Sequence, residues 1–134
     1  MELQEVCESL LDNADMSIDL SAYPKVTLDI LVQGTVNDKF WKVVFECGQV
    51  VYMDAEFDDD SSNNDLFMVL EASVKETIKS KVTPAVQHRM DGLNDKDPVW
   101  KVHLYGCMSL TMVTTRFNWQ LIELSEKEYE AAYA

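Results

Sequence analysis

Strict alternation of apolar and polar residues most constrains how this chain can fold. Apolar residues occupy every second position from 26 to 32, and the same period returns at 41–45, 51–57, 100–104 and 117–121. A period of two residues is that of a β-strand with one buried face. The sequence therefore predicts a protein built around a β-sheet.

Residues 40–57 read as two strands with their apolar positions in phase. For both sets to face one core, the connecting loop must contain an odd number of residues. Glu46, Cys47 and Gly48 form such a loop, with Gly48 in the left-handed conformation. The sequence therefore predicts a hairpin at this point.

Both ends of the chain have helical patterns. The first is an amphipathic stripe at helical spacing, formed by Leu3, Val6, Cys7, Leu10 and Leu11. At the other end, Ser125 and Glu128 match a capping box, which predicts a short C-terminal helix. Between predicted strands, residues 79–98 form a long excursion that contains three turn-forming residues, Pro84, Gly92 and Pro98.

The order of these elements predicts an α+β protein with one domain over residues 1–134. Its short connections favour a mainly antiparallel, curled sheet of about six or seven strands, barrel-like in its most closed form. An amphipathic helix begins the domain and a short helix ends it.

The acidic charge is concentrated in the first half of the chain. The formal net charge is −13, and residues 1–67 hold 15 acidic and 3 basic residues. Such a field repels nucleic-acid phosphates and attracts a basic protein surface. The sequence therefore predicts no nucleic-acid binding. Acidity that serves only solubility remains the simpler alternative.

The acidic stretch from Asp54 to Phe67 is the main candidate site. Continued extension would form an outward row of Asp54, Glu56, Asp58 and Asp60, on the face opposite to that of Met53, Ala55 and Phe57. The residues predicted to bind a basic partner are Asp54, Glu56, Asp58, Asp59 and Asp60.

The sequence disfavours a calcium-binding loop in this stretch. Ligand spacing from Asp60 resembles an EF-hand, but Asp65 occupies the position that requires glycine. The flanks read as strands, and the second half of the loop is apolar. No metal site and no cofactor is predicted.

Catalytic motifs are absent from the sequence. It holds no glycine-rich phosphate loop, nucleophile elbow or paired-cysteine zinc motif. A pairing of Cys47 or Cys107 with His103 has no supporting motif, and acidic surroundings would raise a thiol pKa. No catalytic residue is assigned, and the sequence favours a protein that is not an enzyme.

Two alternatives stay open. A small-molecule binder or minor enzyme would use a pocket in the curled sheet, lined by Trp41, Tyr52, His103 and Tyr105. The outward face of the strands also carries apolar residues, which must be covered. Either the helices and the 79–98 excursion cover them, or a second subunit does so in a homodimer.

The spacing of the cysteines and the absence of a long apolar run indicate where the protein is located in the cell. Three widely spaced cysteines do not suggest a disulfide framework, and no apolar run approaches the length of a membrane span. A reducing, cytoplasmic location without membrane association is expected. The leading hypothesis is thus a small, acidic, non-enzymatic interaction protein that binds a basic protein partner.

Overall fold

The computed structural model of the protein describes residues 2–11, 14–33, 39–57 and 67–132. These residues form eight strands and a few short helices, so the fold is mainly β. The strands are β1 (Ala14–Asp19), β2 (Val26–Gln33), β3 (Phe40–Cys47), β4 (Val50–Phe57), β5 (Phe67–Ile78), β6 (Pro98–Gly106), β7 (Met108–Thr114) and β8 (Phe117–Leu124).

All eight strands belong to one antiparallel sheet. Their order is β4-β7-β6-β5-β1-β2-β3-β8, and each pair of neighbours is antiparallel. The sheet is not closed into a barrel, so the barrel-like form considered from the sequence is wrong. Among the described residues, β4 and β8 are the two edge strands.

Two adjacent corners bring the ends of this sheet together. Only Gly48 and Gln49 separate β3 from β4, and only Thr115 and Arg116 separate β7 from β8. The corners are hydrogen-bonded to each other, because Gly48 N donates to Arg116 O at 2.8 Å and Thr115 N donates to Gln49 O at 3.0 Å. The sheet therefore folds over itself at this point.

The buried hydroxyl of Thr114 ties the two corners. Its Oγ1 lies 2.9 Å from the carbonyl oxygens of both Gln49 and Arg116. Gln49 N also donates to this oxygen at 3.4 Å. Thr114 is fully buried, and its hydroxyl group has hydrogen-bond partners both as a donor and as an acceptor.

The main hydrophobic core lies inside the folded sheet. Both halves contribute to it: Phe45 from β3, Ile30 from β2, Leu104 from β6 and Met112 from β7 belong to one buried cluster. Burial of these side chains is the main favourable term in folding. The alternating pattern of the sequence thus reports correctly which face of most strands is buried.

The helices are short. An N-terminal helix α1 (Leu3–Glu5) continues as a π-helical turn (Val6–Leu10), and the buried Val6, Cys7 and Leu11 join the main core. Between β5 and β6 lie a 3₁₀ turn (Lys79–Lys81) and helix α2 (Pro84–Gln87). Helix α3 (Glu126–Ala132) follows β8. No helix of the described residues is long and apolar enough to cross a membrane.

The predicted capping box at the start of α3 is confirmed. Ser125 N donates to Glu128 Oε1, and Glu128 N donates to Ser125 Oγ, each at 3.1 Å. Hydrogen bonds from the Ser125 backbone N–H and side chain to the Glu128 carboxyl lower its pKa, because they favour its charged form.

The predicted hairpin between β3 and β4 is wrong. β3 pairs with β2 and β8, whereas β4 pairs with β7, so the Gly48 corner joins opposite ends of the strand order. Gly48 has no positive φ; a Cβ there would lie 2.8 Å from Arg116 Cβ. Glycine is needed because the two corners approach closely, not because of a left-handed turn.

The predicted count of six or seven strands is too low, because the sequence pattern does not indicate β1. The first helix is predicted to end near residues 12–15, where β1 begins in the structure. In the structure, Ala14 and Met16 are buried and Asp15 lies on the other face. β1 pairs with both β2 and β5 and thereby joins the two halves of the sheet.

Candidate functional site: the edge strand β4

The acidic residues of β4 lie on the outer face of an edge strand. Asp54 and Glu56 are exposed, while Met53 and Ala55 pack against the main core. Their predicted outward orientation agrees with this exposure. Asp58, Asp59 and Asp60 lie outside the described residues.

An irregularity at the start of β4 changes which of its residues face the main core. Pairing with β7 shifts between Val50 and Tyr52. Val50 therefore belongs to the main core, whereas Val51 and Tyr52 both pack in a second cluster on the outer face. Two consecutive residues on one face are typical of a β-bulge. Simple alternation, which placed Val51 inward, fails here.

Segment 79–98 covers the first part of the outer face. Val86 and Met90 are buried against Val51, Val99 and Val113 in the second cluster. The segment is held by its own hydrogen bonds, including Lys79 Nζ to Leu93 O at 2.9 Å and Gln87 Nε2 to Val82 O at 2.6 Å.

The same segment caps the beginning of β4. Arg89 Nη1 donates to Val51 O at 3.2 Å, so a side chain satisfies this carbonyl at the bulge. Beyond Tyr52, the side of β4 opposite to β7 has no strand partner among the described residues. Among the described residues, the unpaired part of the edge is therefore Met53–Phe57, the part that carries Asp54 and Glu56.

Polar side chains continue from Asp54 across the outer face. Asp54 is in register with Thr111, Thr111 with His103, and His103 with Ser73. His103 Nδ1 lies 3.0 Å from Thr111 Oγ1. The imidazole is thus bound to a neutral hydroxyl on the strand that separates it from Asp54.

The next row of residues across the outer face, which begins at Glu56, includes an exposed aromatic side chain. Glu56 is in register with Ser109, Ser109 with Tyr105, and Tyr105 with Glu71. Tyr105 is 49% exposed. The outer face thus carries two carboxylates at its edge and an exposed ring two strands further in.

The charge of β4 is not neutralised by neighbouring side chains. Within the described ranges, neither Asp54 nor Glu56 has a salt bridge. The two salt bridges lie in the other half of the sheet, Lys39 to Glu123 at 3.5 Å and Lys42 to Asp29 at 3.9 Å. The carboxylates of β4 are therefore free to attract a cationic group.

The four residues of the alternative pocket do not all share one place. Tyr52, His103 and Tyr105 lie on the outer face of β4 and β6, close to Asp54. Trp41 lies on β3 and packs against the main core, with Lys39 Nζ 5.9 Å from its ring centroid. Three of the four thus share the outer face, in different rows of the sheet, and Trp41 lies in the other half.

Two cavities are formed by other residues. One of about 280 Å³ lies between the N-terminal helix and β5, and its lining includes Leu3, Cys7, Ala72 and Lys75. The other is an open depression beside Ile78, Lys81 and Pro98. Neither contains a residue that the sequence singled out for a pocket.

The buried thiols do not suit nucleophilic catalysis. Burial, helped by the neighbouring Glu8, raises the pKa of Cys7 to about 11, and burial raises that of Cys47 to about 12. Thiols with such pKa values are protonated at neutral pH, and the thiolate is the nucleophile. Cys47 is therefore a core residue. In the part of the chain that the structure describes, no group of three or more His, Cys, Asp or Glu residues could hold a metal ion.

Comparisons with protein-family models, with curated proteins and with solved structures gave no match. The function is therefore argued from the residues of this chain.

Proposed function

We propose that this is a non-enzymatic interaction protein that binds a basic segment of a protein partner along the edge strand β4. The observation that carries the proposal is the coincidence of exposed, unneutralised carboxylates with an open strand edge. Asp54 and Glu56 supply the charge, and Met53–Phe57 supplies the edge. The proposal includes Asp58, Asp59 and Asp60, which follow β4 in sequence.

The backbone of an edge strand supports a defined binding mode. Alternate residues of such a strand direct their N–H and C=O groups away from the sheet, where an added strand can pair with them. Proteins that bind peptides in this way use main-chain hydrogen bonds for affinity and side chains for specificity. A partner segment in extended conformation would thus lie beside β4.

The side chains of β4 indicate which segment fits. Asp54 and Glu56 project to the same face, about 7 Å apart along the strand. A segment with Lys or Arg at every second position would set its cations against this row. Cross-strand pairs of opposite charge are favourable, and like charges are unfavourable. Binding should therefore weaken with salt, because the pairs are exposed.

A cytoplasmic location is part of the proposal. Cys7, Cys47 and Cys107 are all free thiols, which fits a reducing compartment. The acidic field also argues against nucleic acid as the partner, because it would repel the phosphate backbone. The small-molecule alternative stays a prediction, since Trp41 lies apart from the other three residues assigned to that pocket.

Charge reversal of β4 tests the proposal. The Asp54→Lys/Glu56→Lys protein should bind basic partner proteins at least about tenfold more weakly, because two favourable pairs become repulsive. The measurement is capture of proteins from native cell extract on immobilised wild-type and variant protein, with quantification over a series of salt concentrations. The wild-type protein should lose its basic partners as salt rises.

A matched control separates the β4 site from the general field of the protein. Glu71→Lys/Glu76→Lys changes the net charge equally at two exposed positions of the internal strand β5. Glu71 lies three strands from Glu56, about 14 Å away, so this variant should retain the partners. Equal capture by all three proteins, or equal loss in both variants, would contradict the proposal.

A further inference from the structure

The second edge of the sheet, β8, differs in chemistry from β4. Its sequence, FNWQLIEL, contains a single charged residue, Glu123. That carboxylate already pairs with Lys39 at 3.5 Å. The β8 edge therefore carries less charge than the β4 edge, which holds Asp54 and Glu56.

β8 also leaves apolar surface half-covered. Phe117, Trp119 and Leu121 face the main core but are only partly buried, because no strand follows β8 in the described residues. On the other face, Ile122 is 38% exposed. A further strand beside β8 would cover these side chains and would also pair the free backbone groups.

We propose that β8 pairs antiparallel with β8 of a second copy of the chain, forming a symmetric homodimer. A twofold axis makes such an interface self-complementary, because each strand meets its own copy. The sheet would then continue from one copy into the other. This interface is independent of the basic-partner site on β4.

The charges of the two edges determine which one meets a second copy. Self-pairing of β4 would place Asp54 and Glu56 of one copy beside the same carboxylates of the other, which is unfavourable. Self-pairing of β8 brings together amides and apolar side chains. A second copy therefore fits β8, and a basic segment fits β4.

Face alternation limits the register of the pair. Opposed residues must lie on the same face, so the twofold axis passes through a residue position. An axis at Gln120 sets Trp119 beside Leu121 of the second copy, both on the apolar face. An axis at Leu121 would instead set the central Trp119 beside the charged Glu123, which the axis at Gln120 places opposite Phe117 at the end of the strand. The apolar contact favours the axis at Gln120.

This register predicts a specific cross-link. Opposed Cα atoms in an antiparallel pair lie about 4.5–5.5 Å apart, within the range that a disulfide spans. In a Cys107→Ser background, which removes the least buried native thiol, Gln120→Cys should give a covalent dimer on mild oxidation. Gln33→Cys, at an exposed position on the internal strand β2, should form no covalent dimer, although it should still associate as the wild type does.

A charge variant tests the same interface without a cross-link. Gln120→Lys places two like charges opposite each other in the dimer, so self-association should weaken at least about tenfold. Gln33→Lys carries the same chemical change and should associate as the wild type does. Sedimentation equilibrium measures both, and circular dichroism verifies that each variant is folded.

Salt dependence distinguishes this interface from the β4 site. Each copy is strongly acidic, so higher salt should strengthen the dimer while it weakens binding of a basic partner. An interface formed mainly by one pair of strands is small, so its dissociation constant is expected to be on the order of micromolar. A wild-type protein that stays monomeric at concentrations of about 200 µM in high salt, or equal cross-linking of the Gln120→Cys and Gln33→Cys proteins, would overturn the proposal.

Discussion

The Gly106→Ala protein should be destabilised by about 3 kcal/mol or more, the largest effect expected of any conservative change at a glycine of the described residues. A Cβ at this position would lie 1.9 Å from Met68 O and 2.8 Å from Met68 C. Both are backbone atoms of β5, so no side-chain rotation relieves the contact. β5 would have to move away from β6.

That movement would break local pairing. Cys107 N donates to Met68 O at 3.0 Å, and Gly106 is in register with Val69. The register between β5 and β6 shifts just beyond this pair. Gly106 therefore permits a close approach of two strands beside a bulge, and this approach is the physical reason for glycine.

Thermal and urea unfolding measure this effect. The melting temperature should fall by about 10 °C or more for a change of this size. Gly92→Ala is the matched control, because a Cβ at Gly92 has no atom within 4 Å; it should be neutral or slightly stabilising. Equal stability of the two variants would contradict the close packing of β5 against β6.

Thr114→Val should cost about 1–3 kcal/mol, because it removes the buried hydroxyl that donates to a corner carbonyl and accepts from Gln49 N. Valine has nearly the same shape as threonine, so the change removes hydrogen bonds without creating a large cavity. The groups affected are Gln49 O and Arg116 O, both 2.9 Å from Thr114 Oγ1.

The control for this variant is Thr27→Val on β2. Thr27 is half-buried on the outer face and pairs with Glu46; it lies near the corners but takes no part in their hydrogen bonds. Its substitution should change the free energy of unfolding by less than about 0.5 kcal/mol. If Thr114→Val were as stable as Thr27→Val, the hydroxyl would not hold the corners together.

The sequence predicts most strands because each buries one face. Strands β2, β3, β6 and β8 show the period of two residues that a half-buried strand requires. The helical stripe at the N-terminus and the capping box at Ser125 were equally readable, since both depend on local spacing. These features follow from short-range chemistry.

Pairing of β3 and β4 could not be read in the same way. Adjacent strands with in-phase apolar residues usually form a hairpin, and a short glycine-containing link supports one. Here the link is a corner, stabilised by long-range hydrogen bonds to Thr114, Thr115 and Arg116. Contacts with residues so distant in sequence leave no signal around Gly48.

The bulge in β4 likewise leaves no signal in the local sequence, and it changes which residues of the candidate site face outward. Parity along β4 is correct for Asp54 and Glu56 but fails at Val51, where the bulge begins. Arg89, which donates to the Val51 carbonyl, lies on a different segment and matches no motif, so the sequence does not predict this contact. The acidic row was predictable, whereas the way in which segment 79–98 limits it to Met53–Phe57 was not.

The two edges of the sheet explain how a strongly acidic protein can have two different contacts. The β4 edge carries unneutralised carboxylates, and the β8 edge carries amides and apolar side chains. Under the proposals, a partner and a second copy bind at different strands and respond to salt in opposite directions. Loss of one interaction by mutation should therefore leave the other intact.

Hydrogen–deuterium exchange of the protein with and without its captured basic partner tests the central claim most directly. In the free protein, amides that point away from the sheet along Met53–Phe57 donate to no strand of the described residues and should exchange quickly. A partner strand would accept hydrogen bonds from them. Their exchange in the complex should slow at least about tenfold, with no change in β8. Unchanged exchange in β4, together with protection of another segment, would contradict the proposed site.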